Sequence, residues 1–398
     1  MVRAPGKRGE AVHDAWIRYL GAHRKGPFAG LGHVPQPEIR DPRSAIEGCG
    51  QSCPPVGDPT DRPYDAAMAA MVRRMFAAIE VSRLPVAFGA VANVWLMVLL
   101  ARVEVAKLPP DAVPDSTARI AALPTALLLG ASAAFAVGFM VFGAALNDIL
   151  DAKRDGAFAP DRPIPSGSLS TRRAMHIAAL ALVTGLVGAI PFGSTAMIGA
   201  AILAVIVIAY DAFAKYVPAV GIVLAGLATA ASMLALHIET TMSVAIWLAM
   251  SQTMGISLLA YLLADKRPKL SRRAVALGAL GWLFWSSALF LLAAYRNDGA
   301  VFPQWFAPSA LAAPILTLIA CALFGLWKLR SVRGPRAGEK LLRYATLWKA
   351  LVAAGWLLAA GLVTEAAWVG GLAIAIALVF AALRELAPQL AVPAGWRS

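Results

Sequence analysis

Residues 121–155 read AALPTALLLGASAAFAVGFMVFGAALNDILDAKRD, an apolar run that passes straight into Asn147, Asp148, Asp151 and Asp155. The part from 121 to 146 is long enough as a helix to cross a hydrocarbon layer about 30 Å thick. A helix continued beyond it lines up Asn147, Asp151 and Asp155 in one stripe, with an axial step of roughly 6 Å. Uncompensated charge beside hydrocarbon is costly, and like charges on adjacent turns repel. Helix capping does not explain the cluster, because acidic residues favour the start of a helix and these follow the end of a span. A hard divalent cation such as Mg²⁺, which takes oxygen ligands and shares them with phosphates, removes both penalties. The segment continues as Asp161-Arg162-Pro163-Ile164-Pro165-Ser166-Gly167. On its residues alone this is a rigid turn, with Ser170 or Thr171 capping the next helix.

The rest of the chain sets the same scene. With 398 residues, 59% hydrophobic and 15% charged, and a mean hydropathy of +0.67, it is a polytopic all-α membrane protein by composition. Further apolar spans fall near 84–105, 174–190, 193–210, 217–236, 244–264, 274–295, 306–327, 346–363 and 367–386, which makes ten helices in all. The net charge of +13 does not indicate nucleic acid, since no aromatic-rich basic groove or recognition helix accompanies it. Lys and Arg gather after the second, fourth, sixth and eighth spans, and the intervening loops are nearly free of them. By the positive-inside rule the motif loops and both termini are cytoplasmic. The expected location is the inner cell membrane.

Three regions follow. Residues 1–80 are rich in Gly, Pro and mixed charge, and are expected to be a mostly disordered extension ending in an amphipathic helix over Tyr64–Ser82. Residues 81–386 form the membrane domain and 387–398 a short tail. No signal peptide is read at the start. Cys49 and Cys53 lack the partners of a zinc site, and Cys321 lies in an apolar helix as packing. His176 and His237 are lone histidines with no partner suggested by spacing, and Asp211 is placed either to face a cavity or to pair with Lys215 at i, i+4.

N-D-x-x-D-x-x-x-D followed by D-R-P-x-P-S-G, between the second and third of about nine core helices, resembles the first aspartate-rich motif of the UbiA superfamily of intramembrane prenyltransferases, of the 4-hydroxybenzoate polyprenyltransferase type. The resemblance extends over roughly residues 83–363, with Arg83-Leu84-Pro85 leading the first helix and Tyr210 and Lys215 closing the fourth. It implies nine core helices around a central cavity, with the tenth helix outside that core. It also implies a prenyl diphosphate as partner, a lipophilic or aromatic acceptor and Mg²⁺ as cofactor. On this resemblance Asn147, Asp148, Asp151 and Asp155 hold Mg²⁺ against the diphosphate, Asp148, Asp151 and Asp155 serve catalysis, and Arg162 pairs with phosphate oxygens.

The second motif departs from the pattern. Where such proteins read D-x-x-Y-x-x-x-D, this chain has Leu258 in the first acidic position, with Tyr261 and Asp265 retained and Lys266-Arg267-Pro268-Lys269 following. Asp265 remains a metal-ligand candidate. Lys153, Lys215, Tyr261, Lys266 and Arg267 are candidate substrate-binding residues, with Lys266, Arg267 and Lys269 able to neutralise diphosphate directly. The charges at Lys215 and 266–273 also have a plainer reading, as positive-inside charges. Two other functions stand beside prenyl transfer. One is a catalytically degenerate relative that binds or moves an isoprenoid lipid. The other is a CDP-alcohol phosphotransferase, suggested by Asp155-Gly156-Ala157-Phe158-Ala159 but lacking the Arg that its signature needs at Pro160.

Overall fold

The computed structural model describes residues 84–107, 113, 115–264, 266 and 268–386. The expected extension, its amphipathic helix and the tail lie outside the described residues, as do Asp265 and Arg267. Among the described residues the protein is all-α, with eleven helices in chain order: α1 (Leu84–Lys107), α2 (Asp115–Ala122), α3 (Thr125–Phe158), α4 (Thr171–Ala189), α5 (Ser194–Ala212), α6 (Pro218–Leu236), α7 (Ser243–Leu263), α8 (Arg272–Arg296), α9 (Ala312–Leu329), α10 (Pro335–Ala359) and α11 (Val363–Leu386). Ten of them are long and apolar enough to cross a membrane, α2 being the exception.

Pro124 accounts for the break between α2 and α3. It lacks an amide donor and sits at the start of α3 with an extended backbone, so the second span begins at Thr125 and not at 121. The ninth span also differs from its sequence reading. The basic stretch expected as a loop before 346 is already helical from Pro335, because Gly334 takes the positive φ of 69° and Pro335 suits the first helical turn. Within it, Lys340 donates to the Lys328 carbonyl at the end of α9, 3.0 Å away.

α1 is the axis of the bundle. It packs against α3, α6, α10 and α11, and two apolar clusters share it. Val91, Val94, Val98 and Ala101 face the cluster built with α3, α4 and α5, while Ala92, Leu96, Met97 and Leu100 face the one built with α6, α7 and α10. A helix apolar on every side belongs inside a bundle, which agrees with Leu96, Met97, Val98 and Leu100 all being buried. Large exposed side chains such as Leu180, Val205, Leu291, Leu316 and Leu378 lie on the outer helices, where lipid is their solvent.

α3 and α4 approach through small residues. A Cβ built on Gly138 would lie 2.4 Å from the Gly185 nitrogen, and one on Gly188 would lie 2.4 Å from the Phe135 nitrogen. Between membrane helices, close backbone contact supplies the packing energy that the hydrophobic effect cannot. Gly138→Ala and Gly188→Ala should therefore each cost roughly 1–3 kcal/mol as the backbones are forced apart. Thermal unfolding in detergent measures this, and an unchanged midpoint for both would refute it.

Candidate active site

The α3 helix does not end with its apolar run. It continues through Asn147 and all three aspartates to Phe158, so the predicted stripe is a real helical face. Asp148, Asp151 and Asp155 are buried. Carboxylates at the C-terminal end of a helix oppose its dipole, and cations supplied by the next elements offset that conflict.

The first cation comes from the turn after α3. Arg162 lies 2.7 Å from Asp155 Oδ2 and 3.7 Å from Asp148 Oδ1. The turn is closed by Ser166 N donating to the Arg162 carbonyl (2.9 Å), Gly167 N to Ile164 (3.1 Å) and Leu169 N to Pro163 (2.9 Å). Gly167 takes the left-handed conformation, φ 76°. The chain thus doubles back and brings Arg162 over the carboxylate seven residues earlier. Ser170 caps α4, accepting from Arg173 N.

The second cation comes from beyond α5. Lys215 Nζ donates to Asp151 Oδ2 at 2.9 Å and to Asn147 Oδ1 at 3.0 Å. Tyr216 donates its hydroxyl to Asp151 Oδ1 at 2.9 Å. Partial burial, that hydrogen bond and the Asp151 charge push the Tyr216 hydroxyl above its ordinary range, so it remains a donor. The expected i, i+4 spacing of Asp211 and Lys215 on one helix is not kept. α5 ends at Ala212 and Lys215 falls in a separate 3₁₀ turn, Ala214–Tyr216, which points it at α3. Asp211 is itself buried, and a Cβ on Gly143 would come 3.8 Å from its Oδ2, one turn before Asn147.

The other described candidates have these places. Lys153 is exposed, since two residues along a helix is about half a turn from Asp151 and Asp155. Tyr261 donates to the Pro268 carbonyl, so its hydroxyl closes the turn after α7. Lys266 is exposed, and its backbone nitrogen donates to the Tyr261 carbonyl at 3.3 Å. One member of the assembled cluster, Tyr216, is not among the sequence candidates. Adjacency to Lys215 was the available signal for the tyrosine.

The oxygens presented from Asn147 to Asp155 are the kind a hard divalent ion takes, so the residues fit Mg²⁺ in chemistry. Their partners here are Arg162, Lys215 and Tyr216, and among the described residues no group of three or more His, Cys, Asp or Glu side chains is arranged to hold a metal. The arrangement pairs buried acids with cations from neighbouring turns at the end of a membrane helix. Such a site can receive a polyanion together with a divalent ion, the protein's cations passing from carboxylate to phosphate.

The model of the UbiA prenyltransferase family matches residues 116–350. A solved structure of a digeranylgeranylglyceryl phosphate synthase in membranes aligns with a TM-score of 0.45 at 17% sequence identity, covering 72% of this chain and 98% of that one. No curated protein matches the chain.

Proposed function

The chain belongs to the UbiA prenyltransferase family, and from that premise we propose that it moves the prenyl group of an isoprenoid diphosphate onto a lipophilic aromatic or quinone-precursor acceptor, with Mg²⁺ as cofactor. The observation that carries this reading is the buried set Asp148, Asp151 and Asp155 at one end of a membrane helix, with Arg162 and Lys215 turned onto it. In the proposed reaction the allylic carbon–oxygen bond breaks, its electron pair leaving with the diphosphate. An electron-rich carbon of the acceptor then bonds to the allylic cation and loses its proton. Asn147, Asp148, Asp151 and Asp155 would hold Mg²⁺, which would supply positive charge for the departing diphosphate. Arg162, Lys215 and the Tyr216 hydroxyl orient that group and stabilise the charge that grows on it, which favours the transition state over the bound substrate. The prenyl tail lies along the apolar helix faces, away from water.

The basic loops beside this end of the bundle support its facing the cytoplasm, where soluble prenyl diphosphates are at hand. A second reading, a relative that binds isoprenoid lipid without turnover, draws on Leu258 standing where an acid is expected. Purified protein in nanodiscs, given radiolabelled geranylgeranyl diphosphate, Mg²⁺ and a panel of phenolic and quinol acceptors, separates the two. Prenyl transfer should release diphosphate and label an acceptor, and both should vanish with EDTA. Tight binding without turnover across the panel would favour the lipid binder, and absence of binding would defeat both.

A further inference from the structure

Lys349 lies within the membrane-spanning part of α10 and makes no hydrogen bond or ion pair among the described residues. It does not face lipid. Its neighbours on the same helical face, Ala345, Val352, Ala353 and Trp356, are all buried, being four residues before and three, four and seven after it. α1 closes on this face so tightly that a Cβ on Gly89 would sit 3.3 Å from Lys349 Cβ and 2.7 Å from the Thr346 carbonyl. Lys349 nonetheless keeps partial exposure, so the space it meets lies inside the bundle. An ammonium inside the membrane span with no counter-charge is costly and calls for a partner.

A second unpaired donor stands at the same height. Gly338 of α10 lies beside Ala260 and Ala264 of α7, and the two helices run antiparallel. Eleven residues on from Gly338 and eleven back from the 260–264 pair bring Lys349 level with Ser251 and Gln252. Gln252 is between Ala249 and Ile256 on the side of α7 that packs against α10: Ile256 clusters with Ala345 and Trp348, and Ala249 with Ala353 and Trp356. The Gln252 side-chain nitrogen is buried and lacks any acceptor. Buried donors without partners are rare, and the Gln252 nitrogen is one. Level with it on the packed neighbouring helix, the partly exposed Lys349 ammonium also awaits an acceptor.

We propose that Lys349 and Gln252 bind an oxyanion carried by the acceptor, a carboxylate or a phosphate ester, deep in the bundle between α7 and α10. The aspartate cluster belongs to a different part of the molecule, around α3, α4 and α5. A cation at Lys349 would repel an allylic cation beside it, so this is a station for the acceptor's anionic end and not for the ionising carbon. The assignment rests on the prenyl-transfer reading for the word acceptor, while the anion site itself stands on the two unpaired donors.

Equilibrium dialysis of the full-length protein in nanodiscs tests it with paired probes: 1-naphthoate against 1-naphthamide, and 1-naphthyl phosphate against 1-naphthol. The wild type should favour at least one anion over its neutral partner by about tenfold or more, as a charge-assisted hydrogen bond provides. The arm showing the preference identifies carboxylate or phosphate. Lys349→Met should abolish the preference while leaving neutral-probe and geranylgeranyl diphosphate binding unchanged. Lys349→Arg should keep most of it, and Gln252→Leu should reduce it. No anion preference in the wild type, or its persistence in a folded Lys349→Met protein, overturns the proposal. Geranylgeranyl diphosphate binding in the same preparation reports on the prenyl-transfer reading separately, so the failure of one is distinguishable from the failure of the other.

Discussion

Asp151→Asn is expected to lower prenyl transfer by about 10²–10³-fold, the scale seen when one group that stabilises transition-state charge is removed. Asp151 is the junction of the cluster, bonded to Lys215 through one oxygen and to Tyr216 through the other. Asparagine keeps the size but removes the charge, and its amide nitrogen cannot accept from either partner. One of the two donors is left without its acceptor, and a divalent ion loses an anionic ligand. Steady-state transfer from radiolabelled geranylgeranyl diphosphate, together with a thermal unfolding midpoint, measures the effect. A folded variant within threefold of wild-type activity would show that Asp151 is not part of the reacting centre. Lys215→Met approaches the same junction from the other side, and should chiefly weaken diphosphate binding.

Glu104→Ala should cost about 3–5 kcal/mol of stability, as expected when one partner of a buried pair is removed. At the opposite end of the bundle Glu104 Oε2 meets His237 Nε2 at 2.7 Å, and both side chains are buried. Its Oε1 accepts from the Thr240 hydroxyl (3.1 Å), the Thr241 amide (2.8 Å) and the Thr241 hydroxyl (2.6 Å). Arg296 donates to the Thr240 carbonyl and Asn297 to that of Thr241, at 2.8 and 3.0 Å. One carboxylate thus secures the loop between α6 and α7, to which the ends of α1 and α8 are also tied. Alanine strands four donors in a site closed to water, and each buried unpaired donor is costly. Thermal unfolding should show a large fall in midpoint. Glu104→Gln, which keeps an acceptor oxygen, should fall less. Equal midpoints for wild type and Glu104→Ala would contradict the clasp.

These two sites show what was legible in the chain. The spans and the stripe of Asn147, Asp151 and Asp155 depend on local periodicity, so residues 121–155 carry their own reading. Lys215 meets Asp151 across 64 positions and His237 meets Glu104 across 133. No spacing rule reaches that far, so the sequence around His237 and Tyr216 shows no partner for either. The helical start of α10 is hidden for another reason. Lys340 and Arg343 look like loop charges by composition, yet Pro335 begins a helix there and Lys340 finds an acceptor at the end of α9. Lys349, within a span otherwise read as apolar, gains meaning only once α1 and α7 are seen to enclose it.

The position of α1 also bears on how the protein is made. The first helix described to enter the membrane comes to rest with α10 along one side, and α10 is synthesised some 230 residues later. Until then Leu96, Met97 and Leu100 lack part of their final surroundings and must be covered by lipid or by a holding partner. The bundle therefore stays open along one side of α1 until α10 arrives, and those side chains reach their final surroundings only then.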